Sequence, residues 1–293
     1  MKTFIHDTLY IFLICIGLIL PIEIATRLIQ LNNIYSTKYF YMETRSSEIK
    51  TLLLGSSLFE FSFNSNIIGD STFNLAMCGR VSFYDAQLLE KYIDKMPNLK
   101  VILFPIHYAL DNPCNYYDSR EKEAYVYHYY KYMKISTPGS MYLYYMPKVT
   151  FLWEKKNSGT FFNVSNLDET GYVRIDTKIT TVPHPIERRY TQAYSTPFIN
   201  NFERIAQLCY EHQIRLIAVT PPATDVYLKY TTPEGLSQLN DIIERIQKVY
   251  PIEYHNYLSD SAFREYNFYC DETHLNHLGA TKFAERVKND FKL

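Results

Sequence analysis

Short apolar runs alternate with helix-length stretches over most of the chain. The runs at 51–54, 72–75, 101–104, 215–219 and 252–254 read as strands. The stretches 84–94, 197–212, 233–248 and 276–291 carry apolar residues at helical spacing, as in Gly279, Phe283, Ala284, Val287 and Phe291. Strands that alternate with helices predict an α/β domain whose parallel sheet is covered on both faces, a three-layer arrangement. No internal repeat or low-complexity tract interrupts it.

The alternation fails at two places. At the N-terminus, Lys2 precedes an uncharged run over 8–22, which Glu23 and Arg27 end. A membrane-spanning helix needs about 20 apolar residues, so the run suffices only if the segment to Leu31 tilts and its charges snorkel. Pro21 to Ala25 offers no small-residue cleavage pattern, which predicts an uncleaved signal anchor over 1–31; a buried N-terminal helix is the alternative. With Lys2 inside, the protein is single-pass in the cell membrane and its main domain extracytoplasmic. The second failure runs over about 108–195, beyond a polar stretch at 37–50 and three strands. It is too long for a plain loop and predicts an insertion with its own structure. Eleven of the 28 tyrosines fall between Tyr108 and Tyr145, among them Tyr125, Tyr127, Tyr129, Tyr130 and Tyr132. They read either as an aromatic wall for sugars beside a site or as ordinary packing of rings with wetted hydroxyls.

Composition narrows the function. With 293 residues, 47% of them hydrophobic, the chain has ample material for a core. Its 30 basic and 31 acidic side chains nearly cancel, which argues against a nucleic-acid partner. Cys15, Cys78, Cys114, Cys209 and Cys270 include no CxxC and suggest neither a zinc site nor a disulfide scaffold.

Three blocks carry chemistry. Gly55-Ser56-Ser57-Leu58 follows the first strand, where an α/β sheet places ligands, and a helix beginning there would aim N–H groups at a developing oxyanion. Serines also cap helices everywhere, so the block alone says little. Phe73-Asn74-Leu75-Ala76-Met77-Cys78-Gly79 ends the second strand on a glycine, which marks either a crevice or a simple turn before a helix. Asp271-Glu272-Thr273-His274 spaces a carboxylate and an imidazole so that one holds Nδ1–H and leaves Nε2 for a serine. Asn276 then reads as a helix cap and His277 as structural. A metal on Cys270, Asp271, His274 and His277 is the competing reading, and it lacks a complementary ligand pair elsewhere.

In this order the blocks resemble the SGNH superfamily, also called GDSL-like hydrolases, over roughly Lys50 to Phe291. Gly55-Ser56-Ser57-Leu58 stands for the GDSL block with Ser56 in place of its aspartate, Gly79 for the block that donates an oxyanion N–H, and Asp271 with His274 for the catalytic pair. The resemblance implies a flavodoxin-like SGNH fold over 45–293 and serine ester chemistry by Ser57, Asp271 and His274. It implies an oxyanion hole from the N–H groups of Ser57 and Gly79, and neither metal nor organic cofactor. The family's third block ends in Gly-x-Asn-Asp, whose asparagine is an oxyanion donor, whereas this chain reads Leu103-Phe104-Pro105-Ile106-His107-Tyr108. By strand-end position His107 can replace the asparagine, or be a packed neutral histidine; Tyr108 is next, and a substrate contact. Losing such a donor costs on the order of 100-fold in turnover, so a fast enzyme needs a substitute. The Gly-Ser-Ser variant with an anchor further resembles extracytoplasmic O-acylation proteins such as those of alginate acetylation and D-alanyl transfer. That implies an O-acyl(acetyl)transferase for surface polysaccharide, served by a membrane acyl-donor protein. A carbohydrate esterase and a non-catalytic glycan-binding or scaffold protein are the alternatives.

Overall fold

The computed structural model describes residues 6–14, 17, 21, 33–106, 129–136, 164–180, 196–229 and 231–293. The chain divides into two compact units, 1–39 with 126–164 and 40–125 with 165–293.

In the first unit, residues 6–14 are helical. Leu9, Tyr10, Ile11, Phe12, Leu13 and Ile14 are all exposed there. Among the described residues no helix is long and apolar enough to cross a membrane. The anchor predicted over 1–31 falls largely outside the described residues. So does most of the tyrosine-rich segment; of its described members, Tyr129 and Tyr132 are buried, and Tyr129 meets Tyr35 edge-on with ring centroids 5.3 Å apart.

Helix α1 (Ile34–Arg45) occupies much of what read as a polar stretch. Asn33 and Ser36 start it reciprocally: each backbone N–H donates to the other's side-chain oxygen at 3.0 Å. Its buried positions, Ile34, Tyr35, Lys38 and Met42, follow helical spacing, but a lysine among them hides the stripe from a hydropathy reading.

The second unit holds a sheet of β1 (Thr51–Leu53), β2 (Thr72–Asn74), β3 (Val101–Pro105), β4 (Arg215–Thr220) and β5 (Ile252–Asn256). All its pairings are parallel and its order is β2-β1-β3-β4-β5. This is the flavodoxin-like order, in which the chain leaves β1 towards one edge and returns past it to β3. The loops after β1 and β3 diverge, and a crevice opens at their carboxyl ends. The helices are α2 (Ser57–Glu60), α3 (Ser82–Tyr92), α4 (Thr196–Glu211), α5 (Asp225–Leu228), α6 (Pro233–Gln247) and α7 (His277–Phe291). The predicted strands and helices of the α/β pattern all form, with ends shifted by no more than two residues. The short α2 and α5 were not legible, because four residues show no period.

Alternate strand residues face opposite layers. Leu53, Leu103, Ile217 and Val219 pack with Phe283, Ala284 and Val287 of α7, in a core that also takes Phe59, Phe63 and Tyr257. Phe104, next to Leu103, turns the other way and stacks on Phe202 of α4 at 5.4 Å. Residues 165–180, the described end of the insertion in this unit, return to the sheet, where the Asn74 N–H donates to Thr170 O at 2.6 Å.

Candidate active site

The first loop is shaped by a glycine that cannot be replaced cheaply. Gly55 has φ +107°, and a Cβ there would lie 2.3 Å from Cγ of Pro105 at the end of β3. Its N–H donates to Asp85 Oδ1 at 2.9 Å. Strain and overpacking together predict that Gly55→Ala lowers stability by about 2–5 kcal/mol, which a shifted urea midpoint would report. Ser56 follows in extended conformation and Ser57 opens α2. The two serines then part company. Ser56 is buried and its hydroxyl has no hydrogen-bond partner among the described residues. Ser57 is partly exposed, and its N–H, at a helix start, has no acceptor within the helix.

Ser57 Oγ lies 2.7 Å from His274 Nε2, and His274 Nδ1 lies 2.7 Å from Asp271 Oδ2. The sequence separates Ser57 from the Asp271–His274 pair by more than two hundred residues, and the fold puts all three in one hydrogen-bonded line. The carboxylate also shapes its own loop, since Asp271 Oδ1 accepts the N–H groups of Thr273 at 2.9 Å and His274 at 2.8 Å. Burial pulls the Asp271 carboxyl up, but the hydrogen bond and charge of His274 and the two backbone N–H groups outweigh it and bring it to about 2. A carboxylate on Nδ1 fixes the proton there and leaves Nε2 to accept from the serine.

The loop is anchored on both sides. Glu272 O accepts the N–H and the hydroxyl of Thr224, each at 3.0 Å, and the Leu275 N–H donates to Ser62 Oγ at 2.9 Å. Asn276 caps α7 as predicted, accepting the N–H groups of Leu278 and Gly279 at 3.1 and 3.2 Å. His277 is not part of the line: its Nδ1 lies 3.3 Å from the Tyr172 hydroxyl.

Between Leu75 and Arg80 the second loop leaves one backbone donor free among the described residues. The N–H of Met77 donates to Gly55 O at 2.9 Å, that of Cys78 to Glu60 Oε2 at 2.6 Å, and that of Arg80 to Met77 O at 3.0 Å. Gly79, at φ +68° and exposed, has no acceptor for its N–H among the described residues. Asn74 supports this loop rather than the site, its amide donating to Phe59 O at 2.7 Å and accepting the Ala76 N–H at 3.1 Å. β3 ends at Pro105 and Ile106 follows it; His107 and Tyr108 lie outside the described residues.

Sequence reading missed four neighbours of this site. Glu60 is buried one helical turn after Ser57. Cys78 hydrogen-bonds Ser57; burial and the charges of Glu60 and Asp271 push its thiol up to about 12 against that bond, so it stays protonated. Arg80 and Asp85 form an ion pair at 3.1 Å with side chains 0% and 1% exposed. Burial raises the Asp85 carboxyl, while Arg80 and the Gly55 N–H oppose the rise. A signal for Asp85 existed: it shares the inward stripe of α3 with Ser82, Ala86 and Leu89, where a solvated carboxylate has no place.

No model of a known protein family matches the chain, and no curated protein matches it. Solved structures do. One is a candidate platelet activating factor from Streptococcus pneumonia, at 11% identity and TM-score 0.44 over 89% of this chain and 91% of that one. A GDSL-like lipase from Bacteroides thetaiotaomicron aligns at 10% identity and TM-score 0.43 over 88% and 98%. A lipase/acylhydrolase from Enterococcus faecalis gives 10% and 0.40 over 83% and 96%. Identities and TM-scores this low leave the functional reading to the chain's own geometry.

Proposed function

We propose that this chain is a serine-dependent ester-transfer enzyme of SGNH type, acting on acyl groups of surface glycans. The observation that carries the reading is the line from Ser57 Oγ through His274 to Asp271, with 2.7 Å at each junction. Two N–H groups without acceptors among the described residues, of Ser57 at the start of α2 and of Gly79 in the second loop, stand near it in the chain. His274 Nε2 takes the Ser57 proton as Oγ bonds to the acyl carbonyl carbon, and the N–H groups of Ser57 and Gly79 receive the oxyanion. The imidazolium, held by Asp271, gives its proton to the departing group and leaves acyl-Ser57. An acceptor hydroxyl then attacks the acyl group, losing its proton to His274, and Ser57 is restored.

The acceptor decides the class. For O-acyl(acetyl)transfer it is a polysaccharide hydroxyl, and the apolar N-terminal segment supports this reading by offering a tether beside a membrane acyl donor. Tethering raises effective concentration to about the millimolar range for a short linker. For the esterase reading the acceptor is water, and the exposure of the site favours it, with the His274 and Asp271 side chains 23% and 53% accessible. Deleting residues 1–30 separates the two. The transferase reading expects slow hydrolysis of a small activated ester to survive while glycan acylation in cells ends. Acylation that persists in the anchorless strain, or rises when the intact gene is removed, would establish the esterase.

A further inference from the structure

We propose that Asp85 is a positioning residue that sets the spacing of the two oxyanion donors by holding both of their loops with one oxygen atom. The inference rests on the ester-transfer reading of the site and concerns residues outside the Ser57–His274–Asp271 line.

Asp85 Oδ1 accepts the Gly55 N–H at 2.9 Å and Arg80 Nη1 at 3.1 Å. Gly55 stands two residues before Ser57, and Arg80 directly follows Gly79. A single buried carboxylate oxygen thus ties the loop that presents one donor to the loop that presents the other. Two further bonds close the frame between the same loops. Gly55 O accepts the Met77 N–H at 2.9 Å, and Glu60, on the helix that Ser57 begins, accepts the Cys78 N–H at 2.6 Å. Gly55 is held through both its N–H and its carbonyl, and from Leu75 to Arg80 every N–H but that of Gly79 is occupied among the described residues.

Stability alone is a weak reason for such a pair. Removing two charges from water costs several kcal/mol each, and an apolar pair of similar volume is often as stable or more so. Catalysis supplies a better one. An oxyanion hole works because its dipoles are fixed before charge develops, and a misplacement of about 1 Å costs on the order of 100-fold. Helix α3 is a rigid platform from which one side chain can gauge both loops.

The test compares full-length wild type with the double variant Asp85→Leu/Arg80→Met, which removes both charges and leaves neither unpaired. The assay follows p-nitrophenyl acetate turnover at 25 °C together with the urea unfolding midpoint. The expected result is a midpoint at or above that of wild type, a kcat lower by on the order of 100-fold, and a KM within about twofold, since the lost interaction exists only in the transition state. A folded double variant with wild-type kcat overturns the positioning role and leaves the ester-transfer reading standing. Should the double variant show no cooperative unfolding, Arg80→Lys, which keeps the charge and alters the reach, must lower kcat at unchanged KM; wild-type kcat in that variant overturns the proposal equally. Wild type that neither turns over the ester nor labels at Ser57 with a fluorophosphonate sinks the ester-transfer reading, and the positioning role with it.

Discussion

Ser57→Ala should abolish labelling by a fluorophosphonate probe and lower ester turnover by about 10⁶-fold, as loss of the nucleophile does in a serine protease triad. Ser56→Ala should leave both intact. The two residues are adjacent and chemically identical, so only their surroundings separate them. Ser57 Oγ has an imidazole nitrogen at 2.7 Å to take its proton, and the Ser57 N–H, at a helix start, has no acceptor within the helix. The Ser56 hydroxyl is buried without a partner among the described residues, so removing it should be neutral or stabilising by about 1 kcal/mol. Cys78 does not rescue Ser57→Ala, because its thiol is held near 12 and stays protonated in any neutral assay. Labelling that follows Ser56, or survives in Ser57→Ala, would overturn the assignment.

The parts of this fold that were legible are those governed by local rules. A parallel sheet buried on both faces needs apolar strands, and the central β1, β3 and β4 announced themselves as such runs, while the edge strands β2 and β5 mix polar residues into shorter ones. Asn276 could be read as a cap because a short amide side chain before an amphipathic stretch has few other uses. The Asp271 to His274 spacing was readable because a carboxylate three residues before a histidine can fold back on it; the distance to Ser57 is set by the sheet order and appears in no local pattern. What stayed hidden depends on tertiary context. Asp85 is one of 31 acidic residues, and its meaning lies in facing Gly55 and Arg80 from another element. Helix α1 was missed because the buried face that Tyr35 and Met42 establish also takes in Lys38, whose polar end masks an apolar stem.

Asp271→Asn should lower turnover by about four orders of magnitude while the domain stays folded, by analogy with the same replacement in a serine protease triad. The asparagine keeps a carbonyl oxygen for the loop N–H groups of Thr273 and His274, so the backbone frame survives. What it loses is the charge opposite His274 Nδ1. An amide nitrogen turned towards the ring donates instead of accepting, which moves the ring proton to Nε2 and leaves no base for Ser57. Glu272→Gln is the control, since Glu272 contributes its backbone carbonyl to Thr224, and that carbonyl is unchanged by the substitution. Stability has its own signature. Folding lowers the Asp271 carboxyl from 3.8 to about 2, so the folded state is favoured by the ionised form above the unfolded value, and that contribution fades as pH falls towards about 2. Asp271→Asn should therefore weaken the acid dependence of the unfolding midpoint in that window, by a modest amount because the side chain is 53% exposed. Wild-type turnover in Asp271→Asn, or a comparable loss in Glu272→Gln, would remove Asp271 from the catalytic line.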